Sequence, residues 1–512
     1  MNSNPQLVIP MTGVGQRFIN AGYSKLKPLI DTGQGTMIEG VLRNFSLIQD
    51  PLFVISKSHP QNEELKKELR RLRPHGRISE IASHKLGPSY AVWESREFID
   101  LNKPVIVNYC DFSGIWSEME FYEELSKVDG LICTYTGFHP HMIRNTAYAY
   151  VRKENGFVKE IQEKNPFTKN PMHEEASSGT YGFRSGKILL DAVREQIKDN
   201  LSLKGEFYTS LTYIPMLRNG ATVKTYNISK FFQWGTPEDL EDFRFWMRLK
   251  NESKSSEAMT KQDSYSFSVI LAGGRGSRLK DKSPVPKPQI KVFGRQLWSY
   301  AARATNGSKG TFVFTTIDQL EGMKQESVKD VVFLFTDKFT TSQTESAHQA
   351  LKKLPSATVP VHILSSDVIF FKEELIKADV MLNECDVVIW TKRNYAASLK
   401  NPFHFSWVKV DNYGKVLDAY IKPIIKPESD EIIVGNFSFR DMSVAEGLIS
   451  ETLSRENSTG ETYLDFIIFE AIQKGLKIRA ISIRDFWSIG TEEEFETLRY
   501  WEDGLSYSEV MT

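Results

Sequence analysis

Apolar residues in this chain fall in short, nearly unbroken runs, separated by stretches in which apolar positions recur every third or fourth residue. The runs PVIVNYCDF (104–112), VPVHILSSDVIFF (359–371) and DVVIW (386–390) have the β-branched character of strands buried on both faces. SYAVWESREFIDL (89–101) and SAHQALKKL (346–354) carry the helical period instead. Strands alternating with helices predict an α/β protein whose mostly parallel sheet is covered on both faces.

The pattern occurs twice. LVIPMTGVGQRF (7–18) and VILAGGRGSRL (269–279) are each a β-branched run, a glycine loop and an arginine. Lys27-Pro28 follows the first and Lys287-Pro288 the second. Near the other end of each copy, FQWGTPEDLEDFRFW (232–246) parallels WSIGTEEEFETLRYW (487–501). Gly235, Thr236, Arg244 and Trp246 recur as Gly490, Thr491, Arg499 and Trp501, at a constant offset of 255. Landmarks paired in the same order imply a duplication. The polar, serine-rich segment 250–266 is the expected linker, with a helix running into it from about Pro237. Two domains, 1–249 and 267–512, follow.

Composition narrows the chemistry. A net charge of −1 gives no global field towards nucleic acid or an anionic membrane, so any phosphate must be held by a local constellation. No apolar run approaches the roughly 20 residues a membrane span needs. MNSNPQLVIPMTG is not a signal peptide, and a cytoplasmic location is expected. Cys110, Cys133 and Cys385 lack metal-ligand spacing and read as buried reduced thiols. His139 and His141, without a third ligand, read as loop or substrate-contact residues.

A strand ending in a glycine turn that opens a helix is a phosphate site, because backbone N–H groups and the helix N-terminus converge on the anion. Neither loop has the Gly-Lys-Ser/Thr of a Walker A motif or the third glycine of a dinucleotide fingerprint. Instead Arg17 and Arg278 stand two residues after the last loop glycine, and Lys27 or Lys287 follows just before a proline. Two cations beside backbone donors suit a triphosphate whose departing pyrophosphate builds up charge.

These residues resemble the sugar-1-phosphate nucleotidyltransferase (NDP-sugar pyrophosphorylase) family, which opens with a strand, a G-x-G-[ST]-R-type loop and a downstream P-K-P. LAGGRGSRLKDKSPVPKPQ carries all of it. IPMTGVGQRFINAGYSKLKPLI matches a variant, with Gln16 in place of Ser or Thr and Leu26 in place of the first proline. The resemblance covers nearly the whole chain. It implies two Rossmann-like (GT-A-type) domains, each a mostly parallel mixed sheet flanked by helices.

The reaction implied is attack by a phosphomonoester on the α-phosphorus of a nucleoside triphosphate, with Mg²⁺ as cofactor and release of pyrophosphate. The resemblance assigns nucleotide binding to Gly13, Val14, Gly15 and Gly87, and to Gly273, Gly274, Gly276 and Ser277. Arg17, Lys27, Lys164, Arg278, Lys287 and Lys422 become the catalytic cations, with Lys164 and Lys422 on the acceptor phosphate. Glu163, Gly179 and Tyr181 line the first acceptor site, and Gly435 and Asn436 the second. Asp111 and Asp367, each after an apolar strand, stand at the family's metal position.

Both copies depart from the family two residues before the final Gly-Thr. Gln233 and Ser488 replace a second metal-binding aspartate there, and Glu238 and Asp239 lie too far into the following helix to substitute. Ile421 replaces the glutamate before Lys422, so the first copy has the fuller acceptor site and the second the fuller loop. The second copy also lacks a base-side glycine, having Ser342 and Gln343 near that place.

The expected partners are a nucleoside triphosphate and a phosphorylated small-molecule acceptor, with neither nucleic acid nor membrane; homo-oligomerisation is left open. The leading expectation is two active sites supplying precursors for surface polysaccharide. One catalytic domain beside a nucleotide-sensing or scaffolding domain is the alternative, as is a phosphocholine-like acceptor.

Overall fold

The computed structural model describes residues 5–254, 265–276, 279, 282–423, 425, 427–429, 431–454 and 462–507. The chain divides into two compact units, Met1–Arg248 with Asp503–Thr512, and Leu249–Glu502. In the first, the main sheet contains β1 (Gln6–Met11), β2 (Leu52–Ser56), β3 (Arg77–Ile81) and β4 (Val105–Asn108). A short β5 (Phe112–Ile115) precedes β6 (Gly130–Tyr135), β7 (Ala149–Glu154), β8 (Phe157–Glu163) and β9 (Glu175–Phe183). β10 (Val223–Asn227) and β11 (Lys230–Gln233) complete the unit's strands. The order across the sheet is β10-β6-β9-β4-β1-β2-β3, with β7 and β8 hanging as a hairpin from β9 and β5 pairing separately with β11. β9 runs antiparallel to β4 and β6, while β1 is parallel to both its neighbours.

The apolar runs explain the layering. Every residue of β1 is buried. Leu7, Ile9 and Met11 join a core with Ile38, Leu65 and Phe121, whereas Val8 turns to another with Val92, Leu189 and Val193. A strand apolar on both faces must be covered on both. Helices Met37–Arg43, Asn62–Leu72 and Glu118–Ser126 cover one face, and Pro88–Glu94 and Gly186–Lys198 the other. Local signals start them: the Thr36, Ser117 and Ser185 hydroxyls each accept the N–H three residues on.

The second unit repeats the scheme. Its strands are β12 (Phe267–Leu271), β13 (Lys291–Val292), β14 (Arg295–Gln296), β15 (Gly310–Thr316), β16 (Val331–Thr336), β17 (Val361–Ser365) and β18 (Val368–Phe370). They continue through β19 (Val387–Arg393), β20 (Trp407–Val410), β21 (Val416–Tyr420), β22 (Glu431–Phe439), β23 (Ile478–Ser482) and β24 (Phe486–Ser488). The main order, β16-β15-β12-β17-β22-β19-β23, is that of the first sheet strand for strand. The β20–β21 hairpin takes the place of β7–β8, and β18–β24 that of β5–β11. Each unit is thus α/β, with a mixed, mostly parallel sheet between helices.

Three expectations need adjustment. The run 359–371 is two strands in different sheets, because at Ser366 and Asp367 the chain turns and the Ser365 hydroxyl bonds Asp367. The helix expected over 89–101 stops at Glu94; Ser95 is buried and hydrogen-bonds Ser79 at 2.8 Å, and a 3₁₀ turn follows. The helix from Pro237 continues to Lys254, so the start of the expected linker is helical.

Candidate functional site

In each unit a cavity opens beyond the C-terminal end of the central strand, where an α/β sheet offers converging loops. In the first unit its volume is about 390 Å³, and Gly15, Arg17, Lys27, Asp111, Glu163 and Lys164 are among its walls. Lys27 opens a 3₁₀ turn behind the glycine loop, and its Nζ meets Asp111 Oδ2 at 2.6 Å. Gly15 has φ of 69°, and a Cβ there would stand 3.1 Å from Lys27 Cβ. The glycine therefore lets the loop close down on the lysine. On the other side, Trp234 N–H donates to the Asp111 carbonyl at 2.9 Å, tying the segment before Gly235 to the acid.

The second unit rebuilds this constellation in a cavity of about 640 Å³. Lys287 and Asp367 form the ion pair, Gly276 has φ of 60°, and its Cβ would lie 2.9 Å from Lys287 Cβ. Ile489 N–H donates to the Asp367 carbonyl at 3.0 Å, as Trp234 does in the first unit. Burial alone would raise the Asp367 carboxyl; the Lys287 ammonium and the hydrogen bonds from Lys287 and Ser365 outweigh it and hold the group below its ordinary range.

Further along the first cavity, Lys164 is the residue after β8 and adopts φ of 57°, an uncommon left-handed conformation for a lysine. Its Nζ donates to the Tyr208 hydroxyl at 2.5 Å and sits 4.2 Å from the ring centroid. Glu163 beside it accepts from the Ser210 hydroxyl at 2.6 Å. Burial raises the Glu163 carboxyl and lowers the Lys164 ammonium, and each partly counteracts the shift of the other. Gly179 and Tyr181 line the same cavity, with Tyr181 accepting from Ser177 at 2.9 Å. In the second unit Lys422 also has a positive φ, 42°, and lies 5.3 Å from the Tyr463 ring centroid. Gly435 shares that cavity with Gly273, Gly274 and Gly276.

Other expected residues are not brought together. Gly13, Val14 and Gly87 do not line the first cavity; Gly87 starts helix Pro88–Glu94, which docks through Ser89 N–H on the Phe207 carbonyl. Asn436 is fully buried, and its Oδ1 accepts the Ser365 N–H at 2.9 Å, so it braces β22 against β17 instead of facing the second cavity. Ser277 and Arg278 lie outside the described residues. His139 and His141, at a 3₁₀ turn, are buried in an aromatic cluster with Tyr135, whose hydroxyl is 3.0 Å from His141 Nε2, and neither lines either cavity.

Gln233 and Ser488 do line their cavities, each at the end of a strand paired with the short strand that follows the aspartate. Gln233 Nε2 donates to the Tyr148 hydroxyl at 3.3 Å. Asp239 hydrogen-bonds Thr236 and lies 3.6 Å from Arg144, an arrangement that starts the terminal helix. Its counterpart Glu494 does face the second cavity, where it accepts the N–H groups of Gly490 and Thr491 at 2.6 and 2.8 Å. The described residues contain no cluster of three or more His, Cys, Asp or Glu side chains suited to hold a metal. Among them no helix is long and apolar enough to cross a membrane.

Tyr208, Ser210, Tyr463 and Asp465 were missed in the sequence. The signal was available: Tyr208 and Tyr463, and Ser210 and Asp465, are separated by the same 255 residues as the terminal Gly-Thr pairs.

Residues 7–234 match the sequence model of the nucleotidyl transferase family, and residues 268–421 that of the MobA-like NTP transferase domain. Among curated relatives, a bifunctional protein GlmU from Streptococcus agalactiae is 28% identical over 232 residues, 43% of this chain and 47% of that protein. A GlmU from Clostridium novyi is 26% identical over 228 residues, 43% of this chain and 48% of that protein. The chain thus spans about half the length of the curated relatives it matches. A nucleoside-diphosphate-sugar pyrophosphorylase structure from Vibrio cholerae RC9 is 20% identical, covering 47% of this chain and 99% of its own, with a TM-score of 0.40. The chain thus carries two nucleotidyltransferase domains, one in each compact unit.

Proposed function

We propose that both units are working nucleotidyltransferases, each moving a nucleoside monophosphate from a triphosphate to a small phosphorylated acceptor. The observation that carries this reading is the Gly–Lys–Asp constellation built twice, at Gly15, Lys27 and Asp111 and at Gly276, Lys287 and Asp367. An unesterified oxygen of the acceptor phosphate attacks the α-phosphorus. A new P–O bond forms as the bond to the α–β bridging oxygen breaks, and its electron pair leaves with pyrophosphate. The attacking oxygen is already anionic at neutral pH, so the step needs no general base.

Lys27 and Lys287 offset charge on the triphosphate, aided by Arg17 and Arg278, and Lys164 and Lys422 hold the acceptor phosphate. Mg²⁺ fits the donor set, since it binds through one or two carboxylates together with substrate phosphates and water. Asp111 and Asp367 each offer one carboxylate to a cavity, and Gln233 and Ser488 offer none. When bound, the ion would neutralise triphosphate charge. A sugar 1-phosphate is the acceptor class this reading favours, in a cytoplasmic protein whose product serves surface polysaccharide.

The test is pyrophosphate release from CTP, UTP, dTTP, GTP and ATP with a panel of sugar 1-phosphates and phosphocholine. Release that requires both a nucleotide and an acceptor, and stops with EDTA, is expected. Phosphocholine as the productive acceptor would contradict the sugar assignment, and no release with any pair would overturn the transferase reading.

A further inference from the structure

The second unit's acceptor lysine is not without an acid, although Ile421 stands where Glu163 stands in the first. Tyr208 and Tyr463 hold equivalent places: each is the residue before a 3₁₀ turn, with φ and ψ of −77° and 144° in one and −82° and 139° in the other. Ser210 and Asp465 are each the second residue of that turn. In the first unit the strand supplies the carboxylate and the turn a hydroxyl, which bond each other at 2.6 Å. In the second, Ile421, the residue after β21, supplies an apolar side chain and the turn supplies the carboxylate. Asp465 lines the cavity together with Lys422 and Tyr463 and is 8% exposed.

We propose that Asp465 is the acceptor-orienting carboxylate of the second unit, and that this site takes a phosphomonoester bearing a hydroxyl near its phosphate, as sugar and polyol phosphates do. The inference rests on the transferase reading for the identity of the site. A buried carboxylate beside the lysine that holds the phosphate accepts more than one hydrogen bond; the Ser406 side chain supplies one, and an acceptor hydroxyl supplies another. Burial raises the Asp465 carboxyl while Lys422 lowers it, the same opposition that Glu163 and Lys164 show in the first unit. A quaternary ammonium has no proton to donate, so phosphocholine cannot supply this hydrogen bond. Because the acid has crossed from the strand to the turn, the two units hold the acceptor body from different sides and select different hydroxyl arrangements.

The test is calorimetric titration of the full chain carrying Lys27→Ala and Lys164→Ala, which disable the first unit's triphosphate and acceptor sites, with and without Asp465→Asn. The probes are glucose 1-phosphate, mannose 1-phosphate and inositol 1-phosphate, with methyl phosphate and phosphocholine as monoesters lacking a hydroxyl. Loss of a hydrogen bond to a charged group predicts weakening of about tenfold or more for the best hydroxyl-bearing probe on Asp465→Asn. Affinity for methyl phosphate and for the nucleoside triphosphate should change less than about twofold, which also reports that the variant is folded. Ile421→Glu combined with Asp465→Ser, which installs the first unit's arrangement, should regain part of the loss. Equal binding before and after Asp465→Asn, preference for phosphocholine, or no binding of any hydroxyl-bearing probe would overturn the inference. Pyrophosphate release is read separately: its absence beside an Asp465-dependent affinity would sink the transferase reading and leave the subsite standing.

Discussion

Lys27 and Lys287 are each held in a narrow slot, with a left-handed glycine on one side and an aspartate on the other. Adding a methyl at Gly15 demands both a disfavoured φ and a 3.1 Å approach to Lys27 Cβ. Gly15→Ala should therefore lower stability by about 1–2 kcal/mol and reduce pyrophosphate release from the first unit. Denaturant melts and activity of the Lys287→Ala chain with and without Gly15→Ala check this. A variant as stable and active as its parent would mean the loop does not close on the lysine.

Asp239 gives a residue-scale pH prediction. Burial, opposed by Arg144 and the Thr236 hydroxyl, pushes its carboxyl up from 3.8 to about 7. Between those values the folded protein holds a proton that the unfolded chain has lost. Stability from this group is therefore present at low pH and is lost as pH rises from about 4 to about 7. Asp239→Asn should flatten that fall by about 1 kcal/mol or more in denaturant titrations across the range. An unchanged slope would contradict it.

At the scale of elements, the terminal helix of each unit begins with a reciprocal cap. Thr236 pairs with Asp239, and Thr491 with Glu494, three residues apart. The cap does two things in the second unit: it starts the helix and fixes the Gly490-Thr491 segment beside Asp367. Thr491→Ala is expected to cost about 1 kcal/mol and to lower the second unit's turnover. A normal unfolding midpoint with normal turnover would count against this coupling.

These same elements show what could be read in advance. Unbroken β-branched runs and paired glycine loops marked the central strands and the Lys–Asp constellation, because burial on both faces and close backbone approach constrain residue type directly. Asn436 and the histidine pair could not be placed, since a polar residue hydrogen-bonded in the core looks like one in a site until its partners are known. Asp465 was hidden for a third reason: the acid had moved to another element, so a comparison made along the strand found only Ile421.

For the whole molecule, one sheet order is realised twice with different side chains around the cavities. The first unit combines a strand-borne Glu163 with Gln233, and the second a turn-borne Asp465 with Ser488 and Glu494. Both retain a lysine and an acid where the triphosphate is proposed to bind, which favours two catalytic sites over one catalytic and one sensing domain. Their different acceptor walls predict that no single acceptor saturates both.

The most direct measurement is pyrophosphate release by Lys27→Ala, Lys287→Ala and the double variant, over the nucleotide and acceptor panel. Each single variant should lose one component of turnover and keep the other, and the double should lose both. Wild-type release from the double variant would contradict triphosphate binding by these loops, and complete loss from one single variant with none from the other would contradict two working sites.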